Sequence, residues 1–589
     1  MTTFAAPRTI IAGQPGLTDH RRRSLLIARL RLLLVLGVFV AVAAVALLKI
    51  TYIGVAQPGP SRASMAEQLL PPRGEITDRN GVPLARAFPA YALWFNPAAM
   101  DEGGDGGPPL VASPAEVARE LHAIFPDLDV YELTDQLAEG RPGYLRRRIL
   151  PEDANRVRAL GELALQLPRE EDRHYPHGAM AAHVLGYVGA DGNGRTGMEE
   201  VLNDRLNDPA SRNEPVALSI DMRVQGALED ELRSGMLAVN ALGAAGIVLD
   251  VDTGEVLALA SLPEYNPNAV ETEDVVLPQE RIDAGEMPRA FNRVTNQVYE
   301  LGSTFKPLTV AMAIDAGVVT DLRRTWQASR PVIIGGNPVR DSHFIGNHLN
   351  VPQTLIHSSN ITSVQIGQEV GGERMREYLD QLGMLEAPYI ELYARGAPLG
   401  VNDNWNDSKA AYVGFGHSLA VTPLHLASAY AAMVNGGIWR PATLQRLAPG
   451  EAPRGRRVFK ASTSARMNQL LRMISVYGTG RSADAPGFRV GGKTGSAEKP
   501  GGAGGYRRTS LVSTFAAAFP MDRPRYVIIT MLDEPQGTVA SSFQRTAAWN
   551  AAPIVGRLVP RIGPQLGIYP DADRDIDLTD LEPLVGGLD

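Results

Sequence analysis

The sequence predicts an α+β multidomain protein whose helices pack on a largely antiparallel sheet, preceded by a single N-terminal membrane helix. Two pairs of strand-like runs are typical of hairpins, at 246–250 with 255–261 and at 511–519 with 526–532. Helical patterns lie between these pairs, at 304–316, 353–367, 422–434 and 463–475. Strands, then helices, then strands again favour helices packed on an antiparallel sheet. A long apolar run near the N-terminus predicts the membrane helix.

Length and composition exclude several classes of protein. At 589 residues the chain is too long for one hydrophobic core, and about 150 residues per domain suggests two to four domains. The net charge of −8 gives no basic face for nucleic acid, so we expect no nucleic-acid partner. The chain has no cysteine, which excludes disulfides and thiolate metal sites. Its ten histidines show no metal-ligand spacing, and nothing indicates a metal or a cofactor.

The N-terminal segment predicts a membrane anchor. Residues 1–31 carry six arginines against one aspartate, and residues 32–48 are then uncharged and apolar. This run is at the short end of the range for a spanning helix, about 17–25 residues, and apolar neighbours extend it to 53. The arginines place the N-terminus in the cytoplasm and the bulk of the chain outside it. A cleaved signal peptide is the alternative, but the run exceeds the usual length of such a peptide, about 7–15 residues.

The remaining chain divides by composition. Asn80-Gly81 predicts a tight turn between two strands over 75–84, and helical patterns follow at 114–125 and 130–137. The composition changes near Pro215, and acidic residues after Gly567 predict a disordered end. We therefore assign a linker at 54–72, a β-rich pedestal domain at 73–212, a second domain at 213–560 and an acidic tail at 561–589.

Ser303-Thr304-Phe305-Lys306 is a candidate nucleophile with its base, at the start of a predicted helix. The spacing places the hydroxyl and the amine on one helix face, and N–H groups at the helix N-terminus can stabilise an oxyanion. Lysine is scarce, at six among 57 basic residues, and a lysine can lose its proton where an arginine cannot. Alone the motif is weak, because Ser496-Ala497-Glu498-Lys499 also matches it.

Two further motifs strengthen this interpretation. Ser358-Ser359-Asn360 begins 55 residues after Ser303 in a helical pattern, and Lys493-Thr494-Gly495 begins 133 residues after Asn360, at the end of a strand-like run at 488–490. In this order, the three motifs form the signature of penicillin-binding proteins and class A β-lactamases. Residues 487–494 also fit a phosphate-binding P-loop. That interpretation fails because a loop precedes the Lys-Thr pair and no helix can follow it.

The chain resembles the class B penicillin-binding proteins over about residues 70–555, and among them the division-type enzymes similar to FtsI. Two departures from the family pattern, Leu301 for proline and Ser496 for threonine, remove no catalytic group. The lack of a preceding glycosyltransferase domain favours class B over class A. The resemblance rests on Arg73–Gly81, Leu218–Asp221, Tyr299–Pro307 and Val421–Pro423, and its division-type features are Arg173-x-Tyr175-Pro176, His183-x-x-Gly186, Asp191–Gly194 and Gly197-x-Glu199.

The resemblance implies a transpeptidase domain with a five-stranded sheet, and a role for each motif. Ser303 would attack the penultimate D-Ala carbonyl of a peptidoglycan stem peptide, with Lys306 as base. Ser358 and Asn360 would pass the proton and orient Lys306, and Lys493 would keep Lys306 deprotonated. Lys493 with Thr494 would hold the substrate carboxylate, and the N–H groups of Ser303 and Ser496 would form the oxyanion hole. Gly495 and Ser496 of the same segment would also belong to the substrate-binding site. The motifs at Arg73 and Arg173 would be structural.

The resemblance also implies ligands, partners and location. Stem peptides ending in D-Ala-D-Ala and β-lactams would bind, and an FtsW-type glycosyltransferase and other division proteins would be partners. The chain would cross the inner membrane once, with a periplasmic catalytic domain at the division septum. An elongation-type class B enzyme, a non-catalytic penicillin-binding sensor or scaffold, and a hydrolase (carboxypeptidase or β-lactamase) remain alternatives. The anchor and the long pedestal favour a transpeptidase over a compact secreted hydrolase.

Overall fold

The computed structural model describes residues 73–100, 110–500 and 506–586, together with helical residues between Arg31 and Lys49. The basic segment before Arg31, the linker 54–72, the glycine-rich stretch 501–505 and part of the anchor predicted at 32–53 lie outside the described residues. Among the residues that are described, no helix is both long enough and apolar enough to cross a membrane. The chain divides into two compact units, residues 1–70 and residues 71–589.

The pedestal is built on a six-stranded sheet of order β3-β2-β1-β6, in which β4 and β5 also pair with β2. The predicted turn joins β1 to β2, where the Asp78 carboxylate accepts the N–H groups of Asn80 and Val82 and Gly81 has a φ of +84°. Its strands are β1 (Ile76–Thr77), β2 (Pro83–Phe95), β3 (Gly143–Ile149), β4 (Leu165–Gln166), β5 (Arg169–His174) and β6 (Val216–Ala217). Its helices are α1 (Pro114–Ile124), α2 (Val130–Ala138), α3 (Pro151–Ala159), α4 (Ala182–Leu185), α5 (Gly197–Val201) and α6 (Asn203–Asn207).

The buried carboxylate of Glu199 links the Arg73 and Arg173 motifs of the pedestal. Glu199 accepts from Arg73 Nε at 2.8 Å and from Arg173 Nε at 2.6 Å. All three side chains are buried, and Arg73 also donates to the carbonyl of Gly192 at 3.1 Å. Loss of such a carboxylate would leave two buried cations without compensation, which is strongly destabilising. This arrangement agrees with the structural role expected for the motifs.

The second part of the chain contains a five-stranded sheet of order β17-β18-β19-β7-β8, in which every neighbouring pair is antiparallel. Both predicted hairpins are therefore confirmed. The strands are β7 (Gly243–Asp250), β8 (Val256–Leu262), β9 (Tyr299–Glu300), β10 (Trp326–Gln327), β11 (Val332–Ile334), β12 (Asn337–Val339), β13 (His348–Leu349), β14 (Ala420–Val421), β15 (Ile438–Trp439), β16 (Arg456–Arg457), β17 (Gly491–Pro500), β18 (Tyr506–Phe519) and β19 (Tyr526–Asp533). The helices are α7 (Met222–Ala238), α8 (Thr272–Val275), α9 (Gln279–Asp283), α10 (Lys306–Asp315), α11 (Val351–Ile356), α12 (Asn360–Val370), α13 (Gly372–Gln381), α14 (Asp407–Gly414), α15 (Pro423–Val434), α16 (Ala461–Tyr477) and α17 (Ala551–Ile562).

Helices cover both faces of this sheet, so its central strands are buried on both sides. Alternate residues of β7 enter different cores: Ile247 and Leu249 belong to one cluster and Val248 to the other. The helix α15 packs on the first face, and α7 and α17 pack on the second. Coverage on both faces explains why β7 is an unbroken apolar run rather than an alternating pattern.

The three motifs differ from their predicted local structure. The pattern at 353–367 is two helices, α11 and α12, separated at Ser358, whose φ is +61°. The break arises because the Ser359 hydroxyl accepts the N–H of Thr362 at 3.2 Å and caps a new helix. Ser303 lies in a 3₁₀ turn, Gly302–Phe305, and the α-helix begins at Lys306. Lys493 lies inside β17 rather than after a strand at 488–490.

The prediction of a disordered acidic end was wrong. Residues 568–586 dock on the second part of the chain, where Leu578 and Leu581 are 8% and 2% exposed and belong to the larger core. Acidic residues of this segment alternate with apolar ones, so that apolar side chains are buried while the carboxylates of Asp575 and Asp580 meet Arg472 and Arg466. The assigned start of the tail, residue 561, also falls inside α17, which ends at Ile562.

Candidate active site

The candidate nucleophile lies in a tight turn that the fold holds from several sides. Gly302, with a φ of +53°, donates its N–H to the carbonyl of Gly416 at 3.0 Å. The Tyr430 hydroxyl donates to the carbonyl of Thr304 at 2.7 Å. These bonds fix the backbone on both sides of Ser303. The turn runs directly into α10, which starts with Lys306.

The Lys306 amine connects the first motif to the second. Its Nζ donates to the carbonyl of Ser358 at 2.5 Å and to Oδ1 of Asn360 at 2.7 Å, and it lies 3.2 Å from Oγ of Ser358. A neutral amine has two N–H donors and one lone pair. Two donors serve the two carbonyl oxygens, which leaves the lone pair free to accept a proton from a hydroxyl.

The Lys493 amine connects the third motif to the second. Its Nζ donates to Oγ of Ser358 at 2.9 Å, and to the carbonyl and hydroxyl oxygens of Thr494 at 3.0 and 3.4 Å. The Ser358 hydroxyl thus stands between two lysine amines. Ser358 has a left-handed conformation at the break between α11 and α12. Its carbonyl oxygen and its hydroxyl both lie within hydrogen-bond distance of the Lys306 amine.

Burial perturbs both amines. Lys306 and Lys493 are 0% exposed. Burial lowers the pKa of Lys306 to about 7, and the Asp341 carboxylate acts in the opposite direction. Burial and the neighbouring charge of Lys306 hold the pKa of Lys493 well below its ordinary value. One of the two amines can therefore be neutral near pH 7, which is the condition for a lysine to act as a base.

Close packing brings the third motif against the nucleophile turn. A Cβ on Gly495 would lie 2.7 Å from Cγ2 of Thr304 and 2.8 Å from the carbonyl oxygen of Leu301, so only glycine fits. A Cβ on Gly302 would lie 3.2 Å from the carbonyl oxygen of Ser496. The Ser496 hydroxyl accepts the N–H of Ala547 at 3.2 Å. The structure thus brings all eight predicted residues together: Ser303, Lys306, Ser358, Asn360, Lys493, Thr494, Gly495 and Ser496.

Two family models match the chain. The penicillin-binding protein dimerisation domain matches residues 68–216, and the penicillin binding protein transpeptidase domain matches residues 244–558. The chain belongs to the class B penicillin-binding proteins. Among its relatives, a probable peptidoglycan D,D-transpeptidase FtsI of Caulobacter vibrioides is 36% identical, covering 84% of this chain and 82% of the relative. The peptidoglycan D,D-transpeptidase FtsI of Escherichia coli K12 is 28% identical, covering 87% of each chain.

Solved structures of other penicillin-binding proteins share the fold. Penicillin binding protein 3 from Mycobacterium tuberculosis, complexed with ampicillin, is 23% identical, with a TM-score of 0.64 over 88% of this chain and 98% of that chain. The transpeptidase domain of Burkholderia pseudomallei penicillin-binding protein 3 is 28% identical, with a TM-score of 0.52 over 60% of this chain and 97% of that one. The two-domain penicillin-binding fold predicted from the sequence is therefore confirmed.

Sequence reasoning missed two polar residues of the candidate active site. Asp341 accepts the N–H groups of Asn360 and Ile361 at 2.5 and 3.2 Å, and the Ser359 hydroxyl at 2.7 Å. Thr479, just after α16, shares a hydrogen bond of 2.7 Å between its hydroxyl and that of Thr494. Both residues lie on loops 14 or more positions from the motif that they contact, so no local pattern marks them. The Asp341 carboxylate also lies at the N-terminus of α12, where the helix dipole stabilises a negative charge.

We expect Asp341→Asn to lower the maximal rate of penicillin acylation by about 10-fold, because the second motif loses charge-assisted hydrogen bonds. The pH dependence should also move. The Asp341 charge raises the pKa of Lys306, so its removal lowers that pKa, and the acidic limb of the rate profile shifts to lower pH. Stopped-flow acylation between pH 5 and 9 measures both effects. A limb that stays in place or moves upward would contradict the assigned electrostatics.

Proposed function

We propose that this protein is a peptidoglycan D,D-transpeptidase that cross-links stem peptides of the septal wall through an acyl-enzyme on Ser303. The observation that carries the proposal is the cluster in which the buried Lys306 and Lys493 meet Ser358 and Asn360 beside the nucleophile turn. The family membership and the names of the two FtsI relatives support the same activity. β-Lactams would acylate the same serine, and the match to the penicillin binding protein transpeptidase domain supports this.

In the proposed acylation step, Oγ of Ser303 attacks the penultimate D-Ala carbonyl of a donor stem peptide and its proton passes to Nζ of Lys306. The carbonyl oxygen becomes an oxyanion, held by the N–H groups of Ser303 and Ser496. When the intermediate collapses, the C–N bond breaks and the terminal D-Ala leaves as an amine. The amine takes up the proton from Lys306, relayed by the Ser358 hydroxyl. The product is an ester on Ser303.

In the second step, an amine of a neighbouring stem peptide attacks this ester. Lys306 accepts a proton from the amine and returns one to Oγ of Ser303 as the C–O bond breaks. The product is a peptide cross-link and free enzyme. Attack by water in place of the amine would give the carboxypeptidase reaction of the same acyl-enzyme.

Substrate binding falls to the third motif in this proposal. Lys493 and the hydroxyl of Thr494 would bind the carboxylate of the terminal D-Ala, and Thr479 orients that hydroxyl. Gly495 keeps β17 close to the turn, which sets the distance between the bound carboxylate and Ser303. The bound carboxylate would raise the pKa of Lys493 and restore its positive charge, and that charge would disfavour a second charge on Lys306 and so keep the base neutral.

We further propose a division role and a membrane location. The enzyme would be anchored by residues 32–53 in the inner membrane with its N-terminus in the cytoplasm, and would act in the periplasm at the septum. An FtsW-type glycosyltransferase and other division proteins would be its partners, through the pedestal and the anchor. The resemblance to FtsI proteins supports this assignment. We also propose the domain limits 73–212 and 213–560.

Depletion of the protein is expected to give filamentous cells, because septal cross-linking would stop while elongation continues. Cell length and width after depletion measure this directly. Expression of the wild-type chain should restore division, whereas Ser303→Ala should not. Rounded cells without a division block would instead assign the enzyme to elongation.

A further inference from the structure

The C-terminal segment 568–586, here called the strap, lies along α16 and reaches α11. Leu578 and Leu581 are buried in the larger core, and Ile576, Leu584 and Val585 pack against the same core. The strap is therefore held by apolar burial and is part of the folded structure. Both helices that it contacts lead to residues of the candidate active site.

Polar contacts fix the strap along α16. Arg466 donates to Asp580 at 2.5 Å, Gln469 donates to the carbonyl of Asp577 at 2.7 Å, and the Tyr477 hydroxyl donates to Glu582 at 2.9 Å. At the far end of the strap, Asn350 donates to the carbonyl of Leu584 and Gln353 to that of Gly586, both at 2.9 Å. Gln353 belongs to α11, which ends two residues before Ser358.

Arg472 of α16 joins the strap to the strand of the third motif. It is 7% exposed, and its Nε and Nη2 donate to the Asp575 carboxylate at 2.9 and 2.7 Å. Its Nη1 donates to Asp484 at 2.7 Å and to the carbonyl of Val490 at 2.8 Å. Val490 immediately precedes β17 and lies three residues before Lys493, about 10 Å along an extended chain.

The start of β17 packs closely against the backbone of α16. A Cβ on Gly491 would lie 3.0 Å from the backbone nitrogen of Arg472 and 2.6 Å from Cγ of Met521. The C-terminal end of α16 leads to Thr479, which bonds Thr494 at 2.7 Å. A change at Arg472 therefore reaches the third motif by two routes, through Val490 and through Thr479.

We propose that Asp575 and Arg472 are positioning residues for the acylation reaction, and that the strap, through them, holds β17 in the register that Lys493 and Thr494 require. This inference rests on the proposed function. Without the Asp575 carboxylate, Nε and Nη2 of Arg472 lose their acceptor, and the guanidinium turns toward Asp484. The carbonyl of Val490 then loses its donor, and Lys493 moves relative to the Ser358 hydroxyl and the substrate carboxylate.

The test compares full-length protein in detergent, using a chromogenic penicillin as probe. Acylation is resolved into the non-covalent dissociation constant and the acylation rate constant, after titration of the active fraction. The acylation efficiency is the ratio of this rate constant to the dissociation constant. We expect Asp575→Asn to lower it by about 3- to 10-fold, a size typical of mutations that couple to a site through packed elements. Asp575→Glu, which keeps the carboxylate, should remain within about 2-fold of wild type.

Asp573→Asn is the matched control, because this substitution removes the same charge from an exposed residue of the same strap. It should acylate like the wild type. Asp580→Asn removes a strap contact that does not involve Arg472, and it should have little effect on the rate constant. Equal efficiency of Asp575→Asn and Asp573→Asn would overturn the proposal, as would a lower active fraction with unchanged constants, which indicates a purely structural contact.

Acylation of the wild-type chain distinguishes a failure of the proposed function from a failure of the positioning role. If the wild-type chain is not acylated at Ser303, the proposed function fails. If the wild type is acylated and Asp575→Asn matches its control, the proposed function stands and the positioning role of the strap is wrong.

Discussion

Ser303→Ala is expected to abolish covalent labelling by a fluorescent penicillin. The side chain supplies the oxygen that forms the ester, and alanine leaves no atom that could replace it. The fold should survive, since the turn is held by backbone bonds of Gly302 and Thr304 rather than by the serine hydroxyl. Gel fluorescence after a long incubation measures the labelled fraction, and the unfolding midpoint confirms that the variant is folded.

Ser462→Ala serves as the control for this variant. Ser462 is an exposed serine in the first turn of α16 and should label like the wild type. Stoichiometric labelling of Ser303→Ala would place the nucleophile elsewhere. The second Ser-x-x-Lys match, at Ser496, would then be the first residue to test.

Lys306→Arg is expected to reduce the acylation rate by at least about 100-fold, the scale of general-base catalysis. Arginine keeps a positive charge at this position but cannot give up its proton. In the wild type, burial lowers the pKa of Lys306 to about 7, so its rate should rise with pH through this value as the amine becomes neutral. The variant should lose that limb of the profile.

Lys493→Arg should be milder than Lys306→Arg, because a cation is what the third motif is proposed to need. Lys460 is exposed and lies just before the N-terminal end of α16, where its amine donates to the carbonyl of Asp315. The substitution Lys460→Arg provides the control. It tests the same substitution outside the cluster and should leave acylation unchanged. Equal losses at Lys306 and Lys493 would contradict the division of roles between the two amines.

The sequence predicted the central sheet and the three motifs well, for physical reasons. Strands buried on both faces, such as β7, are continuous apolar runs, and turn residues mark their ends. The motifs were recognisable because each combines residue types that the chemistry requires, and lysine is rare in this chain. Their local backbone was less predictable. The left-handed Ser358 lies at the break before the Ser359 cap and accepts hydrogen bonds from Lys306, 52 residues away, a contact that no local pattern records.

The remaining parts of the site depend on contacts between distant segments. Asp341 and Thr479 are ordinary loop residues in the sequence, and only the fold brings them to Asn360 and Thr494. The strap was mistaken for a disordered end because its composition is acidic. Two of its carboxylates, Asp575 and Asp580, are compensated by arginines of α16, more than a hundred residues earlier in the chain. Composition alone cannot distinguish compensated charges from solvated ones.

Mass-spectrometric mapping of the penicillin-modified protein tests the Ser303 acyl-enzyme most directly. Trypsin should release residues 294–323 as one peptide, because Pro307 protects the bond after Lys306, and Ser303 is the only serine in that peptide. We expect the penicilloyl mass on this peptide, and fragmentation should place it on Ser303. Modification of any other peptide, or no modification of folded protein, would contradict the assignment.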